Sequence, residues 1–204
     1  QSAVKQFFTS ETVKVELKKK NIILSSANSI NFGRLAPQIA YYFSAYLDLV
    51  TSNQIKLGDE VNFAVPTGNF GNILAAYYAK RMGLPVKKLI CASNKNNILT
   101  DFIKTGVYDK RREFYKTMSP SMDILISSNL ERLLFEISGR EATRIRIRMD
   151  KLKQEGVYEI YDEERAEIQK LFSADFCGED ETVETIYEFF EEYQYPMDTH
   201  TACA

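Results

Sequence analysis

An α/β fold, a parallel sheet with flanking helices, is what this sequence predicts, and three observations predict it. Ile22-Ile-Leu-Ser-Ser26, Val61-Asn-Phe-Ala-Val65 and Lys88-Leu-Ile-Cys-Ala92 are short apolar runs, rich in β-branched or aromatic side chains, with the length of buried strands. Longer segments with apolar residues three and four apart lie between and after them. The order strand, helix, strand, helix, strand suits parallel strands joined by crossover helices.

Each element has its own local reason. Over 35–50, Leu35, Ile39, Phe43, Tyr46 and Val50 form one stripe, with Pro37 tolerable in the first turn. Tyr41, Tyr42 and Tyr46 at this spacing are packing residues rather than a ring-stacking box. Over 72–82 the stripe is Ile73, Leu74, Tyr77 and Tyr78, and Gly83 supplies a stop. Ser128-Asn-Leu-Glu131 has the S-x-x-E form of a capping box, followed by Leu130, Leu133, Leu134 and Ile137 up to Gly139. Arg140 to Lys153 is basic, but Arg144, Arg146 and Arg148 recur at every second position. A helix scatters such charges around its axis, and Glu141, Asp150 and Glu155 lie close, so a solvated face is expected rather than a nucleic-acid stripe. From Leu171 to Ala204 there is no Lys or Arg and nine acids. Val183, Ile186, Tyr187 and Phe190 form a helical stripe there, which makes the acids its wet face; a calcium loop would need D-x-D-x-D-G.

Composition narrows the function. The chain has 204 residues, 45% hydrophobic and 26% charged, an ordinary globular mixture that fits a single domain. Its 26 Lys and Arg against 28 Asp and Glu argue against general polyanion binding, so no nucleic-acid partner is expected. No apolar run reaches bilayer-spanning length and no signal-peptide layout opens the chain, so a cytoplasmic protein with no membrane partner is expected. Cys91, Cys177 and Cys203 lack CxxC spacing and read as reduced thiols, Cys91 as a buried structural one. His200 stands alone, which removes HExxH chemistry, and no metal site is expected. Gln1 opens inside an amphipathic pattern of Val4, Phe7 and Phe8, so 1–204 is expected to be a single piece of a longer protein, its flanking parts absent.

Two loops carry chemistry. Thr67-Gly-Asn-Phe-Gly-Asn72 lies between a strand and a helix. Gly68 and Gly71 permit close backbone approach, the helix N-terminus offers unpaired N–H groups, and Thr67, Asn69 and Asn72 are neutral donors. This is the chemistry of a phosphate cradle. It contains no Lys or Arg, and it is neither a Walker A loop nor a G-x-G-x-x-G fingerprint; an ordinary strand-to-helix turn would use the same residues. Ser25 to Arg34 again joins a strand end to a helix start. Asn28, Ser29 and Asn31 are short polar groups, and Arg34 is a fork for phosphate or carboxylate. The plainer alternative makes Ser29 or Asn31 a helix cap and leaves Arg34 in solvent.

The runs Asn28-Ser-Ile-Asn-Phe-Gly-Arg-Leu-Ala-Pro-Gln38, Pro66-Thr-Gly-Asn-Phe-Gly-Asn72, Ser119-Pro-Ser-Met-Asp123 with Ser127-Ser-Asn-Leu-Glu-Arg-Leu133, and His200-Thr-Ala202 closely resemble threonine synthase of the longer type. The resemblance implies pyridoxal 5'-phosphate (PLP) as cofactor and a fold-type II, tryptophan-synthase-β-like large domain, with 1–35 bordering the smaller N-terminal domain. It implies conversion of O-phosphohomoserine and water to threonine and phosphate by a monomeric parent. It assigns Thr67, Gly68, Asn69, Phe70, Gly71 and Asn72 to the cofactor phosphate, Thr201 to the pyridine nitrogen, and Asn28, Ser29, Asn31 and Arg34 to the substrate phosphate. It gives Ser119 to Asp123 no role. The family's Schiff-base lysine motif has no counterpart here. Lys56, Lys80, Lys87, Lys88 and Lys104 lie in no such context and read as solvated, so this piece alone is expected to be inactive. Two alternatives share these loops: a threonine-synthase-like phospholyase, and a non-catalytic phosphate-binding domain. A sheet cut from its neighbours is further expected to associate with itself.

Overall fold

A computed structural model describes residues 10–24 and 31–204 of the chain. Two of the three expected strands form, as β1 (Val61–Pro66) and β2 (Val86–Ser93), paired in parallel with Val65 opposite Cys91. The third strand of the sheet is β5 (Phe172–Phe176), parallel to β2 with Cys91 opposite Ala174, giving the order β1-β2-β5. β2 is therefore central, and Val86, Leu89 and Cys91 are fully buried.

Ile22–Leu24 corrects the first expectation. These residues form no strand, and Ile23 is 90% exposed; Ser25 and Ser26 lie outside the described residues. No described strand lies beside them to accept a ladder, and the Ile22 N–H instead donates to Leu17 O at the end of helix α1 (Glu11–Lys19).

The helix expected over 35–50 is divided into α2 (Phe32–Leu35), a 3₁₀ turn (Ala36–Gln38) holding Pro37, and α3 (Ile39–Thr51). Proline has no N–H to continue an α-helical ladder, so the chain tightens there and restarts. Leu35, Tyr42 and Tyr46 are buried as the stripe requires, while Tyr41 is exposed. Helix α4 (Gly71–Arg81) follows β1, and α5 (Ile98–Thr105) follows β2. A small antiparallel pair, β3 (Val107–Asp109) with β4 (Val157–Glu159), stacks Tyr108 on Tyr158 at 5.2 Å. Helices α6 (Leu130–Ile137), α7 (Ala142–Gln154) and α8 (Asp162–Leu171) enclose Leu130, Leu133, Leu134, Ile145 and Ile168 in the common core.

Three further local expectations give way to tertiary structure. Helix α6 is capped at Asn129, not Ser128, and no capping side-chain bond forms. Asn129 spends its amide on another loop, and Glu131 becomes the second helical residue, not the third that a capping box requires. In α7 the arginines are not all solvated: Arg148 is buried and pairs with buried Glu164 of α8, with Arg144 joining at 3.3 Å. Helix α9 (Glu179–Tyr193) has its acidic face, but the apolar stripe remains at the surface, with Tyr187 65% exposed and Val183 53%. Among the described residues nothing closes over that stripe, and its buried residue is Thr182. A short α10 (Thr199–Ala202) completes the chain. No described helix is long and apolar enough to cross a membrane.

Candidate functional site

The loop after β1 begins with both Thr67 donors committed: its N–H bonds Ala92 O at 2.9 Å, and its hydroxyl bonds Val65 O at 2.6 Å. Thr67 therefore seats the loop on the sheet and has no donor left for a ligand. At Gly68 a Cβ would lie 2.3 Å from the Ser121 carbonyl oxygen, so no other residue fits without moving backbone. Phe70 takes the left-handed conformation, φ 63°, with its ring buried 5.8 Å from Phe172. Gly71 then opens α4. Among the described residues, the N–H groups of Gly68 through Ile73 bond no protein acceptor. The residues Gly68 through Asn72 border a cavity of about 510 Å³ lined by Arg34, Gln38, the 66–72 loop and Ser121. Consecutive unpaired amides at a helix N-terminus, with one guanidinium on the rim, form a site for a phosphate or other anion.

The predicted substrate residues divide. Arg34 lines the cavity with the cradle. Asn31 caps α2, its Oδ1 accepting the Gly33 N–H at 2.9 Å, as the plainer alternative expects. Asn28 and Ser29 lie outside the described residues.

The His-Thr-Ala segment reaches the same region through Ser121. His200 Nε2 accepts the Ser121 N–H at 3.2 Å, which places the ring proton on Nδ1, 3.3 Å from Asp198 Oδ1. Asp198 is the cap of α10, accepting from the N–H groups of His200 (2.9 Å) and Thr201 (3.2 Å) and from the Thr201 hydroxyl. That hydroxyl bond, above all, holds the Asp198 carboxyl down at about 2. Thr201 is exposed and does not itself line the 510 Å³ cavity.

Sequence reasoning gave Ser119–Asp123 no role, and the structure supplies one. Asp123 Oδ1 accepts from Asn94 Nδ2 (2.9 Å), Asn96 Nδ2 (3.0 Å) and Thr117 Oγ1 (2.7 Å), and Oδ2 accepts the Thr117 N–H (3.0 Å). Asn94 and Asn96 follow the end of β2 and are buried. This knot fixes the 3₁₀ turn Pro120–Met122, and so the Ser121 backbone that abuts Gly68 and meets His200. No short-range motif announces it, because its donors come from 94–117.

No protein-family model matches the chain. It is 47% identical to threonine synthase-like 1 of Homo sapiens, an alignment covering all of this chain and 28% of that protein. It is 42% identical to threonine synthase of Pseudomonas aeruginosa, covering 90% of this chain and 38% of that one. Among solved structures, PLP-bound threonine synthase from Brucella melitensis superposes on all of the chain with TM-score 0.89 and 44% identity, covering 41% of its own length. The chain is homologous to one segment of the threonine synthases. The yeast threonine synthase structure agrees, with TM-score 0.86 and 35% identity over the whole chain. The parallel sheet and its helices are thus part of the fold-type II architecture of those enzymes.

Among the described residues of this chain no lysine lines the cradle cavity. Lys56, Lys87 and Lys104 are exposed, Lys104 pairing with Asp175 at 3.1 Å. Lys80 and Lys88 are half-buried rather than solvated, and both latch carbonyls: Lys80 that of Val86, Lys88 those of Gln169 and Lys170 at 2.9 and 3.0 Å. The latter two are orphan carbonyls at the end of α8, which a cation there satisfies. Burial pushes the Cys91 thiol up to about 12, so it is inert. A larger cavity of about 690 Å³ opens between α4, α6 and α7, among Tyr78, Arg132, Phe135 and Met149. None of the expected cofactor or substrate residues that the structure describes lines it, so the donor chemistry, not cavity size, locates the site.

Proposed function

We propose that the chain forms the phosphate-holding and ring-facing part of a PLP site in a threonine synthase that converts O-phosphohomoserine and water to threonine and phosphate. One observation carries the reading: the unpaired amides of Gly68–Ile73, at a strand-to-helix junction where only glycine fits at position 68. A phosphomonoester dianion matches that donor set. PLP, when bound, supplies an electron sink for carbanions formed on an amino-acid substrate. The Gly68–Asn72 backbone holds its phosphate, and the Thr201 hydroxyl, oriented by Asp198, faces its ring nitrogen. Arg34 takes the substrate's phosphate with Asn28, Ser29 and Asn31. The lysine needed to anchor the cofactor and move the substrate's protons is supplied by sequence other than this chain, so the 204 residues alone bind without turnover.

Calorimetric titration of PLP into the chain tests this. The expected result is reversible binding that inorganic phosphate competes away, with pyridoxal binding far more weakly. Equal binding of pyridoxal and PLP would overturn the phosphate assignment. In the parent protein, release of threonine from O-phosphohomoserine supports the synthase reading. Release of a keto acid would place it with the phospholyases.

A further inference from the structure

We propose that Tyr42, Ser127 and Asn129 are positioning residues that make the cradle a donor-only surface by tying its carbonyl oxygens back. An anion near a peptide loop meets carbonyl dipoles as well as N–H dipoles, and the loop attracts it only if the carbonyls face elsewhere. In this loop the acceptors are engaged one after another. Gly68 O accepts from Ser127 Oγ at 3.0 Å. Asn69 O accepts from Asn129 twice, from its N–H at 3.1 Å and its Nδ2 at 2.9 Å. Phe70 O accepts the Leu74 N–H at 3.0 Å as α4 begins. The Tyr42 hydroxyl lies 3.0 Å from Asn72 O and 2.7 Å from Asn72 Oδ1, so the side chain of Asn72 has only its Nδ2 donor left to offer.

The three clamps are themselves held. Ser127 donates its N–H to the Tyr108 hydroxyl at 2.8 Å, and that ring is stacked on Tyr158 in the core. Asn129 is fully buried at the start of α6. Tyr42 is buried on α3, its ring edge-on to Phe63 at 5.0 Å. The clamps thus come from two separate parts of the chain and converge on one loop. Their common product is a run of amides facing the cavity while the backbone carbonyls of Gly68, Asn69 and Phe70 are engaged elsewhere. The polarity of the loop follows from where its carbonyls are sent, which would let a loop that carries no cation of its own hold an anion beneath the Arg34 rim.

This rests on the proposed phosphate reading for the nature of the ligand only. The test uses the chain with Tyr42→Phe, Ser127→Ala, and the two combined, each removing one hydroxyl without changing shape. Inorganic phosphate and PLP are titrated separately, by calorimetry and by ³¹P NMR across pH. Each single variant is expected to weaken phosphate binding three- to tenfold. Each is also expected to raise the pH at which the bound phosphate takes up its second proton, because a freed carbonyl favours the protonated form. A merely structural role would lower the unfolding temperature without moving that protonation. Variants that bind phosphate as the wild type does, with unshifted ³¹P titration, overturn the inference. A wild-type chain that binds inorganic phosphate but not PLP overturns the cofactor reading and leaves this one standing. If neither ligand binds the wild type, both fall. Tyr42 and Ser127 lie on different elements, so failure of one variant to fold leaves the other to decide.

Discussion

The loop Thr67–Asn72 and the turn Ser119–Asp123 touch at Gly68 and Ser121, yet one leaves its donors open to a cavity and the other closes its donors on a carboxylate. In the knot, the Asp123 carboxylate is surrounded by two amides, a hydroxyl and a backbone N–H, all neutral. In the cradle, a similar set of neutral donors faces a cavity. The difference teaches that neutral, preorganised dipoles serve two ends here: closed on a built-in carboxylate they lock a turn, and left open they form the donor set proposed above for a phosphate. Elsewhere the same chain uses the opposite method: Glu164 is buried against Arg148.

The largest expected effect breaks the knot. Asp123→Ala removes the acceptor shared by the side-chain donors of Asn94, Asn96 and Thr117, which keep their bonds to Ser119 and Tyr115, and is expected to cost about 2 kcal/mol of stability in urea denaturation. An unchanged midpoint would show that the knot is not a structural anion site. Next, Gly68→Ala drives a methyl against the Ser121 carbonyl and is expected to weaken phosphate binding at least tenfold, about 1.4 kcal/mol, by calorimetry. Full retention of affinity would mean that the turn yields and that the two loops are not coupled.

A smaller effect concerns Asp198, which ties the last helix to this region. Its loss as a cap in Asp198→Ala is expected to cost about 1 kcal/mol. Because Thr201 holds its carboxyl at about 2, below the ordinary 3.8, the folded chain binds that proton less readily than the unfolded chain. The contribution is therefore present above pH 3.8 and is lost as pH falls toward 2. Asp198→Ser, which keeps a capping oxygen, should flatten that part of the acid unfolding curve; an unaltered curve would assign the acid sensitivity to other carboxylates. The smallest effect is at the exposed Lys104–Asp175 pair, where Lys104→Met is expected to change stability by less than about 0.5 kcal/mol, with the difference vanishing in salt. A large loss there would show that surface pairing rivals the two anion loops.

How much of this was legible in the sequence follows from how local each feature is. The glycines of the cradle, the strand before it and the helix after it are neighbours in the chain, and their pattern showed all three. β5 was not legible: Phe172-Ser-Ala-Asp-Phe176 is an edge strand whose Ser173 and Asp175 dilute the apolar signal. Ile22–Leu24 had the composition of a strand but no described strand to pair with. Local spacing makes Ser128 and Glu131 a capping box, whereas the neighbouring Ser127 and Asn129 send their bonds to Gly68 and Asn69, far back in the chain. Arg148 looked solvated for the same reason, since its partner Glu164 lies on another helix. Thr67 had the right chemistry for a ligand donor, and only the pairing of β1 with β2 shows that its donors are already used.

Phe70 carries a consequence for rates. A left-handed backbone at a non-glycine residue costs about 1–2 kcal/mol, and here the buried ring against Phe172 offsets it. The bend that aims the amides is thus enforced by the interior of the sheet and exists before any ligand arrives. Capture of a phosphate should then be a single-step encounter. Its observed rate should rise linearly with concentration and show no plateau, as it would if a loop first had to fold into shape.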